Sequence, residues 1–248
     1  MAADIKILAI DSSGLVASAA VVCGDELIAE YTINYKKTHS QTLLPMLDEI
    51  KKMVDLDLES IDAIAVAAGP GSFTGLRIGS ATAKGLGLAL NKPLIGVPTV
   101  DGLAYNLYGT EKIICPIMDA RRSQVYTGIY TFERDENKFV LKILKEQCAV
   151  PMEEMISELN EIGREVIFLG DGVPVFKEMI AEKLNVPYSF APAHMNRQHA
   201  SSVAVLGAEY YAQGKIQTAA EHEPEYLRMS QAERERLEAE QKKNGNVS

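Results

Sequence analysis

Twice along this chain an apolar run ends at an aspartate, and the same succession of elements follows. Residues 5–10 (IKILAI) stop at Asp11, and residues 113–118 stop at Asp119. After each comes a polar turn, a second apolar run, another turn and a third: 17–22 and 27–33 in the first copy, 125–132 and 139–144 in the second. Short runs of this kind bounded by turn residues read as strands. A helix pattern at 39–54, with Leu43, Leu44, Leu47, Ile50 and Val54 on one face, precedes a buried strand at 61–67. Pro45 lies inside that pattern and should bend its first turns, because it has no N–H to donate. In the second copy a helix at about 152–161 precedes a strand at 166–169, which Gly170, Asp171 and Gly172 end.

Repetition at this scale indicates internal duplication. The expected fold class is α/β: two actin-like (ASKHA, ribonuclease H-like) domains, the second reduced. The expected division is 1–108, 109–228 and a charged tail at 229–248 that frays from a solvated helix into disorder. Helices near 175–184 and 200–213 close the fold.

A chain of 248 residues is long enough to bury a substantial core. Its net charge of −9 disfavours it as a main nucleic-acid surface, although Arg121 and Arg122 form a small basic patch. Cys23, Cys115 and Cys148 are scattered and odd in number, the pattern of reduced thiols in the cytoplasm. The opening MAADIKILAIDSS shows no basic segment followed by a long apolar run, so no signal peptide is expected. No apolar stretch is long and charge-free enough to span a bilayer.

The glycine-rich run GPGSFTGLRIGSATAKGLGLAL (69–90) follows a strand and reads as a helix after its first turn. Main-chain N–H groups at such a helix start suit an anion. The run is no P-loop, because no Lys-Ser/Thr follows the last glycine at the required offset. Gly75, Gly79, Ala83 and Gly87 recur every four residues and line one face, which favours close helix approach over anion binding as the reason for the stripe.

Catalytic groups are sparse. Asp11 and Asp119 stand where this fold places catalytic or metal-orienting aspartates, and turn capping explains them equally. The turn after Asp11 (Ser12, Ser13, Gly14) is small enough to wrap a phosphate. The turn after Asp119 (Ala120, Arg121, Arg122, Ser123, Gln124) is bulky and should obstruct a second phosphate clamp. His39, His194, His199 and His222 form no HxxxH or HExxH pair, and Ser72 has no GxSxG context. No catalytic, cofactor-binding or metal residue is therefore assigned.

Several of these segments resemble the TsaB (YeaZ) family: ILAIDSS, HSQTLLPML, AVAAGPGSFTGLRIGSATAKGLGLAL, Asp119-Ala120-Arg121-Arg122 and Pro224-Glu225-Tyr226-Leu227-Arg228. The likeness covers about residues 5–230. It implies an actin-like fold and a non-catalytic relative of TsaD, which transfers threonylcarbamoyl to adenosine 37 of tRNAs reading ANN codons. It further implies a heterodimer with TsaD, a wider complex with the ATPase TsaE, a homodimer when alone, and only indirect contact with tRNA. Where TsaD carries the metal-binding HxxxH, this chain has Thr99 and Leu103, neither able to replace an imidazole.

The resemblance places the partner surface on the helices at 39–54 and 74–90. Leu43, Leu47 and Ile50 are expected to supply apolar contacts, and Gly75, Gly79 and Ala83 to admit the facing helix. Nucleotide binding is expected to be weak or partner-dependent. The rival reading is an autonomous ATP-dependent enzyme or hydrolase of the actin-like class.

Overall fold

A computed structural model describes residues 4–35 and 38–228. The tail expected at 229–248 lies outside the described residues. Three strands open the chain: β1 (Lys6–Asp11), β2 (Ala17–Cys23) and β3 (Glu26–Ile33). Helix α1 (His39–Met53), strand β4 (Ala63–Gly69), helix α2 (Phe73–Leu90) and strand β5 (Leu94–Pro98) complete the first half. A short helix, α3 (Thr99–Tyr105), leads into the second.

The second half repeats the plan with β6 (Ile113–Asp119), β7 (Gln124–Asp135), β8 (Lys138–Pro151), α4 (Met152–Ile162), β9 (Val166–Leu169), α5 (Val173–Lys183) and β10 (Tyr188–Phe190). Helix α6 (Ala200–Ala212) follows. The two sheets have matching strand orders, β3-β2-β1-β4-β5 and β8-β7-β6-β9-β10. In each, the first three strands run antiparallel and the last two join parallel through helices. This is the duplicated actin-like architecture.

Strand alternation sets the layers. On β1, Leu8 and Ile10 face α1 and α2 in a core with Leu43, Ile50 and Ala83, while Ile7 and Ala9 face the opposite side with Val203, Ala204 and Leu206 of α6. In the second sheet Ile113, Cys115 and Ile117 pack on Met155, Leu159, Phe176 and Ile180 of α4 and α5. Ile114, Met118, Tyr130 and Phe132 instead join the core that α3 and α6 share with the first sheet. Helix α6 therefore follows the second half in sequence but rests on β1, β2, β4 and β5 of the first. Gly207 permits this approach, since a Cβ there would stand 2.9 Å from that of Ala65.

Two elements lie outside the sequence pattern. Helix α3 is fully buried, so it has no amphipathic period to read, and β10 is only three residues long. Strands β7 and β8 also run longer than the expected 125–132 and 139–144, because their paired ends are polar and partly exposed.

Candidate functional site

The sheets meet at a cleft whose walls are built from equivalent parts of the two halves. Asp11 ends β1 and Asp119 ends β6, and each folds the following turn in the same way. Asp11 Oδ1 accepts from the Ser13 N–H at 2.9 Å and from the Ser13 hydroxyl at 2.6 Å. Asp119 Oδ1 accepts from the Arg121 N–H at 2.8 Å, and its other oxygen pairs with the Arg121 guanidinium at 3.1 Å. Both aspartates are therefore engaged in turns of the kind Asp favours. Burial raises the Asp11 carboxyl above its ordinary value, against the hydrogen bonds from Ser13.

Strand β4 leaves the sheet through Gly69-Pro70-Gly71, and β9 through Gly170-Asp171-Gly172. Gly69 and Gly170 both have positive φ, at 127° and 109°. Each is also pressed on backbone: a Cβ on Gly69 would overlap the Glu225 carbonyl, and one on Gly170 the Ile117 carbonyl. Only glycine satisfies both conditions. Asp171 points its Oδ1 to the Asp119 N–H at 3.2 Å; burial pushes its carboxyl up, and that bond together with Arg197 opposes the rise.

Between these walls lies a cavity of about 460 Å³, lined among others by Ser13, Gly14, His39, Asp119, Arg121 and Asp171. His39 Nε2 is 2.8 Å from the Gly14 carbonyl, while its buried Nδ1 has no partner among the described residues. Arg121, Arg122 and Ser123 all adopt left-handed backbone, with φ of 65°, 55° and 57°. The Arg121 side chain is 86% exposed and runs outward along Asp119. Two carboxylates, Asp119 and Asp171, thus face the cavity, and the charge of the first is paired with the Arg121 guanidinium beside it.

The four imidazoles have different surroundings: His39 stands at the cleft, His194 on the surface, His199 against Glu30 and the His194 backbone, and His222 is buried beside Gln217. Among the described residues no three His, Cys, Asp or Glu side chains gather as a metal site, and no helix is long and apolar enough to cross a membrane.

The residues expected to form the partner surface lie elsewhere than anticipated. Leu43, Ile50, Gly75, Gly79 and Ala83 are buried within the chain's own first half, and Leu47 is half-buried against the same core. A Cβ on Gly75 would overlap the Ser12 carbonyl, and one on Gly79 would come within 2.5 Å of Ser12 Oγ and 3.7 Å of Val66. Ser12 Oγ donates to the Gly75 carbonyl at 2.9 Å. The small-residue stripe thus seats α2 on the end of β1 and on β4, not on a second molecule. A signal for this was present in β4 itself, whose AIAVAAG is as small-residue-rich as the helix above it. The outer faces of the two helices carry other residues: Leu44 on α1 is 57% exposed and Leu88 on α2 is 72% exposed. Ala81, Gly85 and Ala89 lie on the outer side of α2, and among the described residues nothing comes within 4 Å of a Cβ built at Gly85.

Known proteins share this arrangement. A tRNA threonylcarbamoyladenosine biosynthesis protein TsaB from Bacillus subtilis is 35% identical over 237 residues, covering 94% of this chain and 99% of the relative. The chain belongs to the TsaB family. The TsaB protein of Escherichia coli is 31% identical, with 90% of this chain and 94% of the relative covered. The solved structure of YeaZ from Pseudomonas aeruginosa superposes with a TM-score of 0.75 at 26% identity, over 90% of this chain and all of that one. Residues 26–236 also match the family model described as TsaD, tRNA N6-adenosine threonylcarbamoyltransferase. Within this TsaB-family chain, Thr99 Oγ1 accepts from the Gly69 N–H at 3.1 Å and Leu103 is buried in the shared core.

Proposed function

We propose that this chain is a non-catalytic subunit of the machinery that adds threonylcarbamoyl to adenosine 37 of tRNAs reading ANN codons, and that it supports a TsaD subunit. The observation that carries this reading is the use made of the positions a catalytic relative would need. Thr99 and Leu103, which stand at the metal-ligand positions of TsaD by resemblance, are occupied in holding Gly69 and filling the core. Asp11 and Asp119 hold turns.

The proposed docking face is the outer side of α1 and α2. Leu44 and Leu88 offer apolar area, and Ala81, Gly85 and Ala89 allow a partner's helix to approach. The same face serves a second copy of the chain when TsaD is absent, and TsaE joins the wider assembly. The match of residues 26–236 to the TsaD model supports kinship between this chain and the subunit it is proposed to bind. Such an assembly works in the cytoplasm, where its tRNA substrates are.

Reconstitution tests the reading directly. Purified TsaD and TsaE, given a source of the threonylcarbamoyl group, are expected to modify tRNA only when this chain is added. Modification at the full rate without it would overturn the scaffold role. Turnover of ATP by this chain alone would favour the autonomous enzyme.

A further inference from the structure

After α6 the chain turns back over the first half and then crosses to the second. Leu94 and Gln217 exchange two backbone hydrogen bonds of 2.8 Å. Lys84 Nζ on α2 donates to the His222 carbonyl at 2.8 Å. The Glu225 N–H donates to the Ala68 carbonyl at 2.7 Å, and the Glu225 carbonyl rests on Gly69. One residue on, the Tyr226 ring lies 4.6 Å from that of Phe73, with the Arg77 guanidinium 4.0 Å from the same phenyl ring.

The crossing follows at once. Gln147 Nε2 on β8 donates to the Glu225 carboxylate at 2.9 Å. The Arg228 guanidinium donates to the Ala120 carbonyl and, at 3.5 Å, to that of Arg121. Within seven residues the chain thus touches α2, strand β8 and the β6–β7 turn. Three sequence motifs meet here that the proposed docking role does not use: Gly69-Pro70-Gly71, Asp119-Ala120-Arg121-Arg122 and Pro224-Glu225-Tyr226-Leu227-Arg228.

The turn that Arg228 reaches is the one with three consecutive non-glycine residues in left-handed backbone. That conformation is unfavourable for residues with a Cβ and persists only where surroundings hold it. A guanidinium on its carbonyls is a charge-assisted restraint of that sort. Ala120 and Arg121 also line the cleft, so whatever holds the turn sets the position of that wall.

We propose that residues 222–228 are a clasp across the cleft mouth. Glu225 and Tyr226 anchor it on the first half, and Arg228 acts as a positioning residue that holds the β6–β7 turn and so fixes the opening between the halves. The clasp makes the molecule a rigid body at the place where an actin-like enzyme would hinge. It operates in the chain alone and does not rest on the proposed partner.

Hydrogen exchange on the full chain tests it, with Arg228→Ala, Tyr226→Ala and Arg228→Lys beside the parent. The reporters are the Ala120, Gln124 and Met152 amides, bonded within or onto the turn at 3.0, 3.2 and 3.2 Å. Arg228→Ala is expected to speed their exchange by about 10-fold, leaving β1 and β6 within about twofold, because loss of the restraint opens the turn locally. Tyr226→Ala should show the same pattern more weakly, and Arg228→Lys should recover part of the protection. Unchanged reporters in Arg228→Ala would overturn the clasp. So would failure of that variant to fold, or equal loss across both sheets, since either would make the segment a plain part of the core.

Discussion

Helices α2 and α5 occupy equivalent places in the two halves, yet they sit on their sheets by opposite means. Both leave a strand through a Gly-x-Gly turn pressed on backbone. Helix α2 then buries Gly75, Leu76, Gly79, Ser80, Ala83 and Gly87 over 18 residues, whereas α5 buries Phe176 and Ile180 over 11. Small residues let α2 sink onto Ser12 and Val66, so its contact is backbone against strand end. Large residues hold α5 away from its sheet and fill the gap with side chains. The same topology therefore accommodates a deep helix and a raised one, and the deep one is left with a long outer face carrying Leu88.

The comparison breaks most sharply at Gly79. Leucine there must occupy space already held by Ser12 Oγ, at 2.5 Å from the first added carbon. Gly79→Leu is expected to lower stability by about 3 kcal/mol, the upper end of overpacking costs. On α5 the sensitivity reverses: removing volume with Phe176→Ala costs about 3 kcal/mol through the cavity it leaves. Urea unfolding of both variants checks this. A Gly79→Leu protein as stable as the parent would show that α2 is not seated on its small residues.

Gly85 supplies the matched control on the other side of the same helix. Among the described residues nothing lies within 4 Å of a Cβ there, and leucine has the better helix propensity. Gly85→Leu is expected to unfold no earlier than the parent and to gain up to about 1 kcal/mol. It should nevertheless weaken TsaD binding by about 30-fold, or about 2 kcal/mol, if the outer face is the docking surface. Calorimetric titration of TsaD measures it, and unaltered binding would move the interface elsewhere.

What could be read from residue order alone follows from this same contrast. The duplication was legible because β1–β3 and β6–β8 each carry apolar runs cut by polar turns, and period-2 burial needs no knowledge of neighbours. The stripe on α2 was legible as a place of close approach. Its partner was not, because the period of a helix says which residues share a face and nothing about what covers it. The pattern of Leu43, Ile50, Gly75, Gly79 and Ala83 fits a second molecule as well as it fits Ser12 and the first sheet, which in fact cover them. Helix α3 was hidden for a related reason, being buried on every side. The return of α6 and residues 213–228 onto the first half depends on contacts such as Leu94 with Gln217, more than 120 positions apart, which no local pattern encodes.

The plane between the halves gives the next test. Asp101 on α3 is buried there, accepting from Tyr130 of β7 at 2.7 Å and from Tyr210 of α6 at 3.4 Å. Burial raises its carboxyl to about 6, reinforced by Glu146 and Glu225 and opposed by the two tyrosine hydroxyls. A folded-state value above the ordinary 3.8 means that Asp101's contribution is best below that pH and declines as pH rises through about 6. Asp101→Asn keeps the shape and both tyrosine contacts without the charge. It should stabilise the chain by about 2 kcal/mol at pH 7.5 and make little difference near pH 3.5. Thermal melts across that range decide it, and an equal effect at both ends would remove the ionised carboxylate as the cause.

The smallest effect is expected where α6 crosses onto the first sheet. Glu30 of β3 accepts from the Ser201 N–H at 3.1 Å and the Ser201 hydroxyl at 2.9 Å, and its other oxygen lies 3.3 Å from His199 Nδ1. Burial works to raise the Glu30 carboxyl, but the bonds from His199 and Ser201 outweigh it and hold the group below its ordinary 4.5. The Glu30 hydrogen bond raises His199 above its ordinary 6.5, against desolvation. The two contributions overlap in one window. Glu30's is present above 4.5 and fades as pH falls through its lowered value, while that of His199 is present below 6.5 and fades as pH rises through its raised value. The pair should therefore matter most between pH 4.5 and 6.5. In that window Glu30→Gln is expected to cost about 1 kcal/mol, a figure already reduced for partial solvent screening. Once pH has risen past the raised His199 value, the loss should shrink to that of the Ser201 bonds, which Gln retains in part. Melting curves of the variant and parent at pH 5.5 and 8.5 make the comparison. A constant difference would mean that α6 is held to the first half by packing of Val203, Ala204 and Leu206 alone, with no titrating tie at its N-terminus.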